Sequence, residues 1–408
     1  LTDFAISRFF SGLASRLLVL GFLLMLACSA AHARNASEDT EVWLVTYGPG
    51  EIYWQRFGHN GIWIRDDDLG LDHVFNFGFF DFAQADFLQN FLQGRLLYFV
   101  AAQPVQQEFS QYINENRSIR VQRLALAPEQ ALKLADFLVN EAQPANRDYL
   151  YDYYWNNCST RVRDALDVAL GGVLHNRFGA LPAKMNMRDQ TRRLTVADFW
   201  LYLGLELGLG SPVDRRVTRW DEFFIPGVLA ESIVETSGAS GSVGDRLVLE
   251  DTSIYASTLP APPENVTAWW PRYLLLSTAL LGLSSALCRW VLRINPVLLA
   301  RCWLALSALL GGALVYLWFF TDHAVTQNNL NLLLFNPLWL LCCFGRRWFF
   351  VTGVLVLASG AGALLMTLLP PGQYTADLLA ACLPLNVAAA WSLMKDRRLA
   401  VSGAELRK

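Results

Sequence analysis

Phe57-Gly58-His59-Asn60-Gly61-Ile62-Trp63-Ile64 sets a histidine at the mouth of a short apolar run, with a glycine close on either side. Glycine at such a place lets backbone or substrate approach closely. From there the chain reads as a strand at Gly61–Arg65, a turn through Asp66-Asp67-Asp68-Leu69-Gly70 and a returning strand at His73–Phe77, which predicts a hairpin. Another strand-like run precedes it at Glu41–Tyr47. Helical patterns follow at Asp86–Gln93, Gln106–Asn116, Pro128–Ala142 and Cys158–Leu170. Strands and helices are segregated rather than alternating, so the expected domain is α+β. Ser237–Gly244 reads as a loop and Thr258–Pro263 as a linker.

The chain has 408 residues, 53% of them hydrophobic, a high share for a wholly soluble protein. Basic and acidic residues nearly balance, 33 against 36, which argues against nucleic acid as a partner and points to membrane lipid instead. Arg8 and Arg16, the apolar run Leu17–Ala27 and the small residues to Ala31-His32-Ala33 read as a secretory signal over 1–33. A lipoprotein signal using Cys28, or a retained anchor, are the alternatives. Apolar runs recur at Tyr273–Leu292, Cys302–Phe320, Leu330–Phe344, Phe349–Leu369 and Leu378–Leu393; the third is short and holds Asn336-Pro337. Five crossings are expected. Arg289, Arg293 and Arg301, then Arg346 and Arg347, then Lys395, Arg397 and Arg398 make every second loop basic and hence cytoplasmic. Residues 34–265 then form an extracytoplasmic domain, 266–398 an all-α transmembrane bundle of about five helices and 399–408 a cytoplasmic tail. Trp269 and Trp270 mark the outer interface.

Of seven cysteines, only Cys158 falls in the outer domain. A single thiol in a disulfide-forming compartment is either buried and inert or used. Tyr154-Trp155-Asn156-Asn157-Cys158-Ser159-Thr160-Arg161 puts its sulfur in the first turn of a helix with Asn157 as cap, where the dipole favours a thiolate. That contribution is about 0.3–1 kcal/mol, whereas one pKa unit is about 1.4 kcal/mol, so an efficient nucleophile also needs a histidine. His59, His73 and His175 are available, and His59 is the best placed; a structural role for it stays open at this level. Asp66-Asp67-Asp68 lacks the further spaced oxygens of a calcium loop, so no metal is expected, and no cofactor. His175 reads as a helix-terminal cation, and Arg161, Arg163 and Asp164 as helix-surface or structural ion-pair residues rather than phosphate binders. Phe75, Phe77, Phe79, Phe80 and Phe82 read as core, with lipid contact as the alternative; Asp322, His323, Asn328, Asn329 and Asn331 in an outer loop stay open between structural and functional roles.

The histidine-first, cysteine-last order resembles the circularly permuted branch of the NlpC/P60 papain-like hydrolases, and the lecithin:retinol acyltransferase group shares the layout. YGPGEIYWQRFGHNGIWI (47–64), VFNFGFFDF (74–82), QGRLLYFVA (93–101) and YWNNCSTRVRDAL (154–166) together resemble more closely the periplasmic domain of the Lnb family of apolipoprotein N-acyltransferases, over roughly residues 40–230. NNLNLLLFNP (328–337) resembles the membrane part of that group. The resemblance implies a permuted papain-like domain with Cys158 as nucleophile and His59 as base. For the third member it leaves Asn76, Asp81 and His73, of which Asn76 is preferred; one residue of register decides which faces His59. The implied reaction takes an acyl chain from a phospholipid to the N-terminal α-amine of a diacylated lipoprotein, at the periplasmic face of an inner-membrane, multi-pass protein. A membrane-tethered peptidoglycan peptidase and a non-catalytic lipoprotein-binding module are the rival readings.

Overall fold

The structure is a computed structural model that describes residues 40–68, 70–236, 246–292, 295–369 and 372–405. The expected signal over 1–33 and the loop Ser237–Gly244 lie outside the described residues. Seven strands form one antiparallel sheet in the order β6-β4-β3-β2-β1-β5-β7. They are β1 (Glu41–Tyr47), β2 (His59–Asp66), β3 (Leu71–Phe79), β4 (Leu97–Pro104), β5 (Ile119–Leu124), β6 (Asp148–Leu150) and β7 (Val248–Tyr255). Between them run α1 (Phe87–Gln93), α2 (Val105–Asn114), α3 (Pro128–Glu141) and α4 (Cys158–Ala169). The expected hairpin is β2–β3, with Ile64 opposite His73 and Gly61 opposite Asn76.

Alternation along the strands divides the side chains between two faces. Val42, Leu44, Ile62, Ile64, Phe75 and Phe77 bury one face against α3 and α4, through Leu134, Leu138, Val162 and Leu166. Trp43, Val45, Tyr47 and Val74 bury the other against α2, through Val105, Phe109 and Tyr112. Phe75 and Phe77 are core as expected, whereas Phe82 is 64% exposed. After α4 come α5 (Val173–Phe178), α6 (Met187–Thr195), α7 (Phe199–Gly208), α8 (Arg219–Glu222) and α9 (Pro226–Val234). The chain then returns through β7 to the sheet edge beside β5.

The second part holds α10 (Trp270–Ala286), α11 (Pro296–Phe319), α12 (Phe349–Leu368) and α13 (Ala376–Glu405). Among the described residues, four helical stretches are long and apolar enough to cross a membrane: Trp270–Trp290, Pro296–Phe319, Arg346–Leu368 and Ala376–Asp396. The expected fifth helix, Leu330–Phe344, is instead two 3₁₀ helices, Leu330–Leu333 and Pro337–Phe344. Asn336-Pro337 is the reason, since proline removes a donor and its neighbour is driven out of the α region. This segment runs back along α11: a Cβ on Gly311 would meet the Phe335 carbonyl oxygen at 1.9 Å, and Arg301 reaches the Cys343 carbonyl at 3.3 Å. Packing on protein is what lets irregular backbone stand at that depth. The basic ends meet at the pole remote from the sheet, where Arg346 pairs with Asp396 at 2.9 Å.

The sheet domain is seated on the other pole by buried polar groups. Arg188 binds Asp214 at 2.8 Å, and Arg192 reaches Glu206 at 3.5 Å and Asp377 at 3.2 Å. Tyr202 donates to Asp377, Asn329 and Asn331 donate to carbonyls at the end of α7, and Gln373 donates to the Leu209 carbonyl. Thus Asn329 and Asn331, left open in the sequence, hold the two parts together. The sheet domain and the four membrane-length helices are joined by buried polar contacts.

Candidate active site

His59 opens β2, paired with Tyr47 of β1. Because Gly61 stands opposite Asn76, His59 two residues along shares a sheet face with Asn76, and its Nε2 lies 2.9 Å from Asn76 Oδ1. Asn76 Nδ2 donates to Glu108 Oε2 at 2.7 Å and to the Val74 carbonyl at 3.3 Å. With both amide protons so placed, Oδ1 accepts from Nε2–H, and Nδ1 keeps the lone pair of the neutral ring. Glu108 Oε1 in turn accepts from the Tyr47 hydroxyl. Tyr47 stacks on Tyr112, their ring centres 3.5 Å apart, and the imidazole lies beside both at 6.0 and 6.3 Å. Arg117 covers the Tyr112 ring and is fixed by the Gly48 carbonyl.

Cys158 begins α4 as expected, and Asn157 is its cap: Oδ1 accepts from Ser159 N–H at 3.0 Å and Thr160 N–H at 2.9 Å. Asn157 Nδ2 anchors this turn to the Tyr153 and Phe224 carbonyls. The Ser159 hydroxyl bridges Asn60 Oδ1 and the Phe223 carbonyl, pinning the start of α4 to the residue next to His59. The sulfur faces the backbone N–H groups of Asn60 and Ser159. On its other side stands Gly78, at φ +99° in the irregular end of β3, where a Cβ would lie in van der Waals contact with the Cys158 Cβ at 3.5 Å and with Tyr151 at 3.6 Å.

Burial dominates the electrostatics of the pair. It pushes the Cys158 thiol up to about 11, outweighing the Asn60 and Ser159 N–H groups and the positive field of Arg117. Burial, then Arg117, draws His59 down to about 4, against the opposing bond to Asn76. A thiolate held by the helix dipole, expected from position, is therefore not the resting state at neutral pH. Thiol and imidazole both rest uncharged. Glu108 is lifted by burial to about 7, with the Tyr47 and Asn76 bonds pulling the other way.

Of the three residues left open for the third role, the register brings only Asn76 to His59. His73 is three residues from Asn76 and so points to the opposite face; its Nδ1 accepts from the Asp72 N–H. Asp81 lies beyond the end of β3, exposed, and accepts from the Ala83 N–H to cap a turn. The histidine-bearing strand and the cysteine-bearing helix are thus joined through Asn60, while Asp81 and His73 stand apart.

Sequence reasoning missed Glu108, Tyr47, Tyr112 and Arg117. A signal was there for Glu108, which shares the buried stripe of α2 with Val105, Phe109 and Tyr112 at helical spacing. An acid on such a stripe needs a partner. Among the described residues no group of three or more His, Cys, Asp or Glu is arranged to hold a metal ion.

A family model described as the Lnb N-terminal periplasmic domain matches residues 29–194, and one described as the Lnb transmembrane domain matches residues 264–395. No curated protein and no solved structure matches the chain.

Proposed function

The chain belongs to the Lnb family, whose members process lipoproteins at the membrane, and from that premise we propose that it is a thiol acyltransferase. The donor is a membrane phospholipid and the acceptor the N-terminal α-amine of a diacylglyceryl-cysteine lipoprotein. The observation that carries this reading is the placing of the Cys158 sulfur among backbone N–H groups of Asn60 and Ser159, on a helix start pinned to the neighbour of a histidine whose tautomer Asn76 sets.

In the first half, Cys158 Sγ attacks the ester carbonyl while His59 Nδ1 takes the thiol proton. The carbonyl oxygen gains the negative charge, and the N–H groups of Asn60 and Ser159 are the donors at hand to receive it. Collapse breaks the ester C–O bond, the leaving lysophospholipid alkoxide takes the proton from imidazolium, and a thioester remains. In the second half the amine attacks the thioester carbonyl and passes a proton to His59. The C–S bond breaks, the sulfur is reprotonated, and an amide leaves. Asn76 keeps Nε2 protonated throughout, so that Nδ1 alone shuttles. A dry site favours the amine over water, and the apolar surroundings of Cys158, only 8% exposed, meet that requirement.

Replacement Cys158→Ala in cells should lower N-terminal acylation of lipoproteins, read by mass spectrometry, by at least about 10³-fold. Wild-type protein mixed with phospholipid should carry a hydroxylamine-sensitive acyl group that the variant lacks. Unchanged acylation in the variant would sink the proposal; loss of wall-peptide cleavage with acylation intact would favour a peptidase.

A further inference from the structure

Beside the catalytic cleft lies a lip of apolar residues for which the sheet domain offers no cover. Trp54 is 59% exposed, Phe82 64%, Leu88 65% and Leu92 47%. The rings interlock: Trp54 meets Phe82 at 6.4 Å and Phe82 meets Phe87 at 5.1 Å. On a soluble surface a patch of this kind marks a contact site or a liability. Here it is continuous with the membrane part. The loop after α11 latches α1 in place: Asp322 N–H donates to the Gln93 carbonyl at 2.8 Å, Asp322 pairs with Arg95, and the His323 ring reaches the Phe91 carbonyl at 3.1 Å. Gly94 permits this approach, since a Cβ there would meet the His323 nitrogen at 3.0 Å. A groove of ≈ 530 Å³ opens between α1 and the outer end of α11, walled by Phe87, Leu88, Leu92 and Tyr316. Phe319 and Phe320, at the top of α11, are 64% and 67% exposed.

The groove is joined to the nucleophile by a row of rings. Phe87 touches Phe80 at 6.3 Å, Phe80 touches Tyr98 at 5.2 Å, and Tyr98 stacks on Tyr151 at 4.1 Å. Tyr151 and the Cys158 Cβ meet over Gly78, each within 3.6 Å of where a Cβ on that glycine would stand. We infer that the α1–α11 groove takes a phospholipid acyl chain from the outer leaflet, and that the Phe87–Phe80–Tyr98–Tyr151 row leads its ester end to Cys158. The inference rests on Cys158 being the acyl acceptor. It adds the face from which the donor enters and the helix that lies in the leaflet. An acyl chain suits the groove because it demands no hydrogen bonds and can lie along Phe87, Leu88, Leu92 and Tyr316, Asp86, Gln89 and Gln93 being the polar part of the lining.

The test uses the full chain in vesicles of phosphatidylethanolamine and phosphatidylglycerol, with p-benzoylphenylalanine at position 88 in a Cys158→Ala background. Irradiation should attach phospholipid to position 88, and the same probe at position 249, exposed on β7 of the sheet, should attach far less. Equal labelling at the two positions, or attachment at 88 to a second copy of the chain, overturns the inference. In a Cys158-containing chain, Leu88→Glu combined with Leu92→Glu should slow thioester formation about tenfold or more, as expected when two buried leucine contacts are lost. Alkylation of Cys158 by a small water-soluble reagent should stay unchanged, showing an intact site. An unchanged thioester rate overturns the path. If the wild type forms no thioester at all, the acyltransferase reading fails, while the photolabel still decides whether lipid occupies the groove.

Discussion

Two buried polar networks lie on opposite sides of the sheet domain's job, and they are built from different materials. The one behind His59 runs through Asn76, Glu108 and Tyr47, with a single acid among neutral partners. The one beneath α6 and α7 packs Arg188 and Arg192 against Glu206, Asp214 and Asp377. The one acid of the first can lose or gain a proton without an ion pair among its members being broken, because that network holds none. The second has no such freedom: removing any one charge strands another in a low-dielectric setting. Neutral hydrogen-bonding groups stand behind the proposed site, and full charges stand where two parts of the chain keep their places.

The contrast is open to attack from both ends. Arg192→Met, which leaves Asp377 and Glu206 short of a cation, should destabilise the protein by about 3–5 kcal/mol, seen as a lowered melting temperature. The rate of Cys158 alkylation in the surviving folded fraction should be that of wild type; a large change in that rate would mean the two networks are coupled. Next in size is a pH effect at Glu108, whose folded value of about 7 lies above its ordinary 4.5. A raised acid contributes stability that is fully present below about 4.5 and is lost as pH rises through about 7. Glu108→Gln stays neutral, so it should melt with wild type below pH 4.5 and gain up to about 3 kcal/mol at pH 8. A variant less stable than wild type at pH 8 would show that the ionised carboxylate is needed by Asn76 and Tyr47. Smallest is Asn76→Ala, which frees the imidazole to adopt either tautomer. Its acyl-transfer rate should fall about 10²-fold, or about 2.7 kcal/mol, with melting temperature changed far less than in Arg192→Met.

What the sequence disclosed follows the range of the interactions concerned. His59, Cys158 and the cap Asn157 announce themselves within eight residues each, because strand entry and helix start are local events. The third residue could be narrowed to three candidates, since the hairpin was predictable but its register was not; pairing Gly61 with Asn76 puts Asn76 on the face of His59 and His73 on the other. Glu108 was hidden because its meaning depends on α2 docking across the sheet. The β5–β7 pairing joins residues more than 120 positions apart and left no pattern to read. The run Leu330–Phe344 was apolar enough for a helix, and hydropathy cannot weigh what one proline does to the backbone. The clustering of Arg188, Arg192 and Asp377 likewise exists only once both parts are folded.

Consider, finally, the order in which the chain is made. His59, Asn76, Glu108 and Cys158 all precede α10, the first membrane-length helix among the described residues, so the proposed catalytic centre can be complete while the ribosome is still at work. Gln373, Tyr374 and Asp377, which close the seat around Arg192 and Leu209, are supplied by the turn into the last helix. Assembly is therefore sealed by the final insertion step. A chain of this design acquires its fixed posture over the bilayer last, after its proposed site is in place, and one stalled at Leu369 would hold a finished site on an unfinished mount.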